Sequence, residues 1–358
     1  MRIAVLGVGL IGGSIGLAAR AKLDAEVRGF DPDRDLLRRA SELGAVDSAH
    51  DTVADAVEDA ELVFCAAPVT ALPGLGAEAL EAAGQDCAIT DVGSVKRDVI
   101  AALGSDSRFI GGHPLAGAET SGVENARADL FAGARWYLTP TPKTGGLLYD
   151  RVQRAVAEIG ARPQAIEAET HDRLMATISH LPHVVANVLV SQAATALSEE
   201  AEHLPEVGPS FRDATRVAGA NPAIWGDIFA GNREAVASEI DAAIARLTEA
   251  AELLRSGDRA AVGSWHEQAG RRRRELIETE IAGGPLHELR IRVPNRPGIV
   301  AEVALELGRA GVNIEDMALY PSADMSSGAI SLYIAGDDEA ERAEKLVRDL
   351  GHDVSRAE

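Results

Sequence analysis

The chain has 358 residues, too many for one typical core, so two or three domains are expected. A hydrophobic fraction of 46% fits a globular protein in water, and a net charge of −21 argues against nucleic acid and anionic membrane as partners, because both would be repelled. The only cysteines, Cys65 and Cys87, lie in apolar strand-like runs and read as buried packing residues of a cytoplasmic protein, not as a disulfide or a metal site.

Residues 1–145 alternate between strand and helix patterns. Met1–Leu6 reads as a compact strand, and Gly7-Val8-Gly9-Leu10-Ile11-Gly12 follows at once, leading into a helix to Ala21. No charge falls between Arg2 and Arg20, but five glycines interrupt the stretch and no cleavage pattern follows, so it is not read as a signal peptide. Elsewhere no apolar run is long enough to span a bilayer. Strand, G-x-G-x-x-G and helix together form a dinucleotide-binding turn, expected at Gly7, Gly9, Leu10, Ile11 and Gly12. Gly7 permits the turn, Gly9 lets a pyrophosphate approach the backbone, and Gly12 lets helix and strand pack closely. A second strand, Glu26–Phe30, ends at Asp31, placed for the adenosine ribose 2′-OH. A carboxylate there repels a 2′-phosphate, which favours NAD over NADP; Arg34 keeps NADP as the alternative.

The alternation goes on with a helix near 33–43, a strand at 61–66, a helix near 75–83 and a strand at 86–90. Pro68, after the third strand, is expected to line the cofactor cleft. In Asp91-Val92-Gly93-Ser94-Val95-Lys96, Ser94 is placed to cap a helix starting at Val95, or to set a hydroxyl beside the nicotinamide. The stretch Gly111–Gly122 holds five Gly and Pro residues and is expected to be a loop beyond a strand end, displaying His113 and Glu119. The whole is a doubly wound parallel sheet with its loop tips on one edge. A last strand follows at 136–140, and Thr141–Gly146 is a linker.

Residues 146–283 read as mainly helical. His180, His183 and Asn187 are spaced i, i+3, i+7 on one face of an apolar helix, which suggests a polar pocket. The spacing is not H-E-x-x-H and no third ligand is evident, so no metal is expected. If Phe211–Arg216 is helical, Asp213 can hold Arg216 in place as a fork for a substrate carboxylate. Arg271–Arg274 are consecutive and spray around a helix as a solvated or interface cluster. Residues 284–358 run β-α-β-β-α-β, a ferredoxin-like order, with strands at 286–293, 312–314 and 329–335.

The motifs G-x-G-L-I-G-G-S, D-V-G-S-V-K, G-G-H-P-L-A-G-x-E-x-S-G, S-H-L-P-H and R-D-A-T-R-V-A resemble the prephenate dehydrogenase family. The R-P-G and G-V-N-I patterns of the last segment resemble an ACT domain, so the likeness covers essentially the whole chain. It implies a Rossmann domain, an all-α dimerisation domain and a C-terminal ACT domain, in a homodimer of tyrosine biosynthesis. His113 would accept the proton of the substrate's ring hydroxyl, with Ser94 steadying His113 and the nicotinamide. Arg216 would bind a carboxylate, His183 would contact the side chain or ring acid, Glu119 would stand at the pocket mouth, and His180 would support from behind. The substrate is expected to be prephenate, or alternatively arogenate, with tyrosine as effector at Asn295, Gly298, Asn313 and Ile314. A 3-hydroxyacid dehydrogenase would normally want a catalytic lysine on the helical domain, and no lysine occurs between Lys143 and Lys345. A non-enzymatic amino-acid or redox sensor is the alternative of another class.

Overall fold

The computed structural model describes residues 1–117, 120–200, 207–278, 285–294, 299–312, 314, 316–322 and 327–356. The chain divides into two compact units, Met1–Arg246 and Leu247–Glu358.

The first unit is built on β1 (Arg2–Leu6), α1 (Leu10–Leu23), β2 (Glu26–Phe30), α2 (Arg34–Glu42), β3 (Ser48–His50), α3 (Val53–Val57), β4 (Leu62–Cys65), α4 (Leu72–Ala82), β5 (Ala88–Asp91), α5 (Arg97–Leu103) and β6 (Phe109–Pro114). Next come β7 (Arg135–Thr139), α6 (Gly146–Glu158) and β8 (Arg162–Ala165), so the sheet continues past the linker at 141–146. The eight strands lie in the order β3-β2-β1-β4-β5-β6-β7-β8. Strands β1 to β6 pair parallel, as expected, but β7 runs antiparallel to β6 and turns the edge into a mixed sheet. Strands β4, β5 and β6 are buried along their whole length, because helices cover both faces of a parallel sheet. Side-chain alternation then splits the core. Ile3, Val5, Phe64 and Trp136 face one side, while Ala4, Leu6, Val63 and Phe109 face the other. Each large apolar side chain so buried contributes about 1.5–3 kcal/mol.

Two local expectations fail here. Gly111, Gly112 and His113 do not form a loop; they continue β6, paired with Thr139, Leu138 and Tyr137. The glycines serve close approach, not a turn. A Cβ on Gly111 would lie 2.2 Å from Thr139 Oγ1, and one on Gly112 would lie 2.4 Å from the Asp91 carbonyl oxygen. Nor does a helix start at Val95. Helix α5 begins at Arg97 and has no cap from a neighbouring side chain in sequence; Asp172 supplies the cap instead, accepting from the Lys96 and Arg97 amides at 2.8 and 2.9 Å.

The helical part holds α7 (Ala168–Met175), a π-turn (Ala176–His180), α8 (Leu181–Glu200), α9 (Pro209–Thr215), a 3₁₀ turn (Arg216–Gly219), α10 (Pro222–Gly231) and the start of α11 (Arg233–Ser256). By length and composition, 168–195 is long and apolar enough to cross a membrane, with only 22% of its most apolar window buried. The sequence alone predicts no such span, because polar residues interrupt its apolar run. The same stretch carries His171, Asp172, Arg173, His180 and His183.

The second unit begins with the end of α11 and with α12 (Arg259–Glu278). It continues through β9 (Leu286–Pro294), α13 (Ile299–Arg309), β10 (Asp316–Pro321), β11 (Ser327–Ala335), α14 (Asp337–Asp349) and β12 (Asp353–Arg356), the expected β-α-β-β-α-β order. All neighbours in the sheet β10-β11-β9-β12 are antiparallel. Leu289, Ile291 and Val293 of β9 form a core with Val303, Leu307, Ala343 and Val347 of the two covering helices. Of the strand expected at 312–314, Asn313 lies outside the described residues; the described strand nearby is β10, Asp316–Pro321. Within the arginine cluster, Arg273 sets its guanidinium 5.9 Å from the centre of the Tyr333 ring.

Candidate active site

Along the carboxyl ends of β1, β4 and β5 runs a cleft of about 460 Å³, lined by Gly9, Leu10, Ile11, Pro68, Gly93 and Ser94, among others. The glycine turn has the geometry its sequence demands. Gly7 sits at φ +98°, where a side chain would be strained. A Cβ on Gly12 would overlap the Gly7 carbonyl oxygen at 1.8 Å, whereas one on Gly9 would meet nothing within 4 Å. Gly9 thus leaves open space against the N-terminus of α1, which no side chain caps. That is the cradle a pyrophosphate needs. Asp31 holds the turn from outside: its carboxylate accepts from the Val8 amide at 2.9 Å and from the Asp33 amide at 2.9 Å. Arg34 is paired with Asp51 at 3.1 Å.

His113 is 8% exposed on β6. Its Nδ1 lies 2.9 Å from Nε2 of His171, whose own Nδ1 lies 2.8 Å from Oδ1 of Asp172. Burial pushes the His113 ring well below the usual imidazole value, and His171, Lys96 and His180 push it further. It is therefore neutral at pH 7, with a lone pair free for a proton. His171 is also lowered by burial, against the opposing pull of Asp172. Beneath this pair Lys96 is buried in contact with Asp91, whose carboxylate also accepts from the Gly93 amide at 2.8 Å and the Gly112 amide at 3.0 Å. One buried carboxylate thus ties the loop after β5 to the strand that carries His113. His180, 1% exposed, bonds through Nδ1 to Asn232 at 3.1 Å, and burial pushes its pKa down to about 4.

A second cavity of about 670 Å³ adjoins the cleft, sharing Gly117, Thr120, Ser121 and Ile224 with it. His183, Arg216 and Trp225 line it. The His183 ring stacks on Trp225 with centroids 3.4 Å apart and donates from Nδ1 to the Ser179 carbonyl oxygen at 3.0 Å. Arg216 brings a guanidinium, a planar fork matched to a carboxylate, to the lining of this cavity.

Three sequence expectations need correction. Asp213 makes no ion pair with Arg216, because α9 ends at Thr215 and the backbone tightens into a 3₁₀ turn, off the α-helical i, i+3 spacing. Ser94 lines the cleft but makes no hydrogen bond to His113; His171 holds that ring. His180 and His183 do not share one helix face, because a π-turn ends at His180: one is sealed in the interior and the other is on the cavity wall. Glu119, Asn295, Gly298 and Asn313 lie outside the described residues, and Ile314 packs at the edge of the second unit's core. His171, Asp172, Asn232 and Trp225 had no local signal: His171 and Asp172 lie 58 and 76 residues from the His113 and Lys96 they meet.

Comparison with known proteins agrees with this geometry. Residues 15–165 match the family model described as prephenate dehydrogenase, nucleotide-binding domain. Residues 167–267 match prephenate dehydrogenase, dimerization domain, and 287–352 match the ACT domain. The chain is 30% identical over 357 residues to the prephenate dehydrogenase of Bacillus subtilis, covering 96% of this chain and 95% of that one. It is 35% identical over 263 residues to the cyclohexadienyl dehydrogenase of Zymomonas mobilis, covering 72% of this chain and 89% of that one. Among solved structures, prephenate dehydrogenase from A. aeolicus in complex with hydroxyphenyl propionate and NAD+ superposes with a TM-score of 0.73 at 29% identity, covering 77% of this chain and 98% of that one. Arogenate dehydrogenase from Synechocystis gives 0.66 at 25% identity, covering 77% and 100%. The chain belongs to the prephenate dehydrogenase family of enzymes.

Proposed function

We propose that the chain catalyses the oxidative decarboxylation of prephenate to 4-hydroxyphenylpyruvate with NAD, in the cytoplasm, as a homodimer inhibited by tyrosine. The observation that carries this reading is the buried, neutral His113 in a site that also holds a glycine cradle and a cavity lined by His183 and Arg216. Bound in the cleft, NAD supplies the acceptor for a hydride. Gly7, Gly9, Leu10, Ile11 and Gly12 would hold its pyrophosphate, Asp31 its ribose, and Pro68 and Ser94 would flank the nicotinamide end. His113 takes the proton of the ring hydroxyl as the hydride leaves that carbon. The product of that step is a vinylogous β-keto acid, which loses CO₂ and becomes aromatic without further help. Arg216 binds a substrate carboxylate and His183 the side chain or ring acid, with Trp225 fixing the plane of the imidazole. Glu119 is assigned to the pocket mouth and His180 to support from behind.

Val185, Val188 and Val190 are exposed on α8. Such an apolar patch on a segment matched as a dimerization domain supports burial against a second copy. The ACT match supports an amino-acid effector, for which tyrosine, at Asn295, Gly298, Asn313 and Ile314, is our assignment.

The test is the initial rate of NADH formation, with prephenate and arogenate compared and tyrosine added to each. Prephenate turnover lowered by tyrosine supports the reading, and arogenate-only turnover changes the substrate. In His113→Ala, turnover should fall about 10²–10⁴-fold with NAD affinity unchanged; full turnover in that variant would remove His113 from the chemistry.

A further inference from the structure

The hydrogen-bond chain behind His113 has one consistent arrangement of protons. The Asp172 side chain already takes the Lys96 and Arg97 amides, and as a carboxylate it can only accept. His171 Nδ1, 2.8 Å from Asp172 Oδ1, must therefore carry a hydrogen and donate it. A neutral His171 then offers a lone pair at Nε2. His113 Nδ1, 2.9 Å from that lone pair, must donate in turn. His113 is left with a bare Nε2.

We propose that His171 and Asp172 are positioning residues that lock His113 in its Nδ1–H tautomer, so that Nε2 is the atom that takes the substrate proton. The proposal rests on the assignment of His113 as the base. As the substrate O–H bond breaks, its proton passes to Nε2 and the hydride goes to the nicotinamide. The imidazolium so formed keeps its Nδ1–H on His171 Nε2, and the far side of His171 faces the Asp172 carboxylate. The positive charge stays on His113 and is stabilised by that hydrogen bond, which the Asp172 carboxylate polarises through His171.

Burial makes the lock necessary. His171 is fully buried and Asp172 is 3% exposed, so free solvent is poorly placed to complete either hydrogen bond. The other groups around the pair are the Tyr137 ring on β7, edge-on to His171 at 5.6 Å, Lys96 and Asp91 beneath, and His180 on the π-turn. His180 has the opposite arrangement. Asn232 Nδ2 donates to the Asp172 carbonyl at 2.7 Å and to His180 Nδ1 at 3.1 Å, which puts the His180 hydrogen on Nε2. Two tautomers of one side chain therefore stand side by side in one cluster, each dictated by its partner.

Nitrogen-15 NMR of histidine-labelled full-length chain reads each tautomer directly, and His113→Ala and His171→Phe assign the signals among the nine histidines. Wild type should show His113 and His171 as Nδ1–H and His180 as Nε2–H. In His171→Phe, which keeps the ring but removes the acceptor, His113 should move to Nε2–H. Its kcat should fall about 100-fold with the KM for NAD unchanged. His171→Gln, whose Oε1 can accept from His113 Nδ1, should recover the Nδ1–H signal and part of kcat. An Nε2–H His113 in active wild type overturns the lock, as does a His171→Phe enzyme of wild-type kcat. The wild-type spectrum decides the matter even if that variant does not fold. Full turnover by His113→Ala would instead overturn the assignment of the base, a failure the spectrum keeps separate.

Discussion

His113 and Arg216 are both assigned to the substrate, yet the chain holds them in opposite ways. His113 sits on a fully buried strand, bonded to a ring that is bonded to a carboxylate, with a buried ion pair beneath it. Arg216 stands exposed on a short 3₁₀ turn at the rim of an open cavity, beside a stacked His183 and Trp225. A proton acceptor needs a fixed atom in a dry setting, where its pKa is set by its surroundings. A carboxylate clamp needs charge and reach, and tolerates water. On these assignments recognition would be retuned by single changes at Arg216, whereas the chemistry would depend on the bonded network behind His113.

That contrast can be broken at several points. Lys96→Met strands the buried Asp91 charge and should cost about 3–5 kcal/mol in urea unfolding, most of it recovered when Asp91→Asn is added. If the single variant is as stable as wild type, the pair does not hold the strand. At the rim, Arg216→Ala should raise the KM for substrate about 10–100-fold and leave kcat within a few-fold, the mark of lost ground-state binding worth about 1.5–3 kcal/mol. A collapse of kcat instead would place Arg216 in the chemistry. Asp31→Asn should lower the ratio of NAD to NADP efficiency about 10-fold, since it removes the carboxylate that repels a 2′-phosphate. A ratio unmoved by the change would assign cofactor choice elsewhere.

The buried histidines predict a gentler effect. Their folded-state pKa values are depressed, to about 4 for His180 against an ordinary 6.5. Between these values the unfolded chain binds protons that the folded chain refuses. Stability from these groups is complete above about pH 6.5 and is lost as pH falls toward 4. Melting temperature followed over that range should decline, and the slope should ease in His180→Gln.

The glycine fingerprint, the strand–helix alternation and the β-α-β-β-α-β tail are readable because each is a local pattern with one structural meaning. Gly111-Gly112 reads in the sequence as part of a loop because glycine serves both loops and close approach, and only the packing of Thr139 and Asp91 against β6 distinguishes the two. The Asp213–Arg216 pair fails for a related reason: an i, i+3 spacing binds only while the backbone stays α-helical. His171 and Asp172 could not be found by any local rule. They read as two polar residues in an amphipathic helix until the fold brings β6 and the start of α5 against them.

Asp172 does two jobs with one carboxylate. It closes the amino end of α5, and it orients the ring that in turn orients His113. Until the segment that carries it has docked, α5 is unfinished and the imidazole on β6 has no partner to choose its proton. With His113 assigned as the base, the contact that completes α5 is also the one that arms that base.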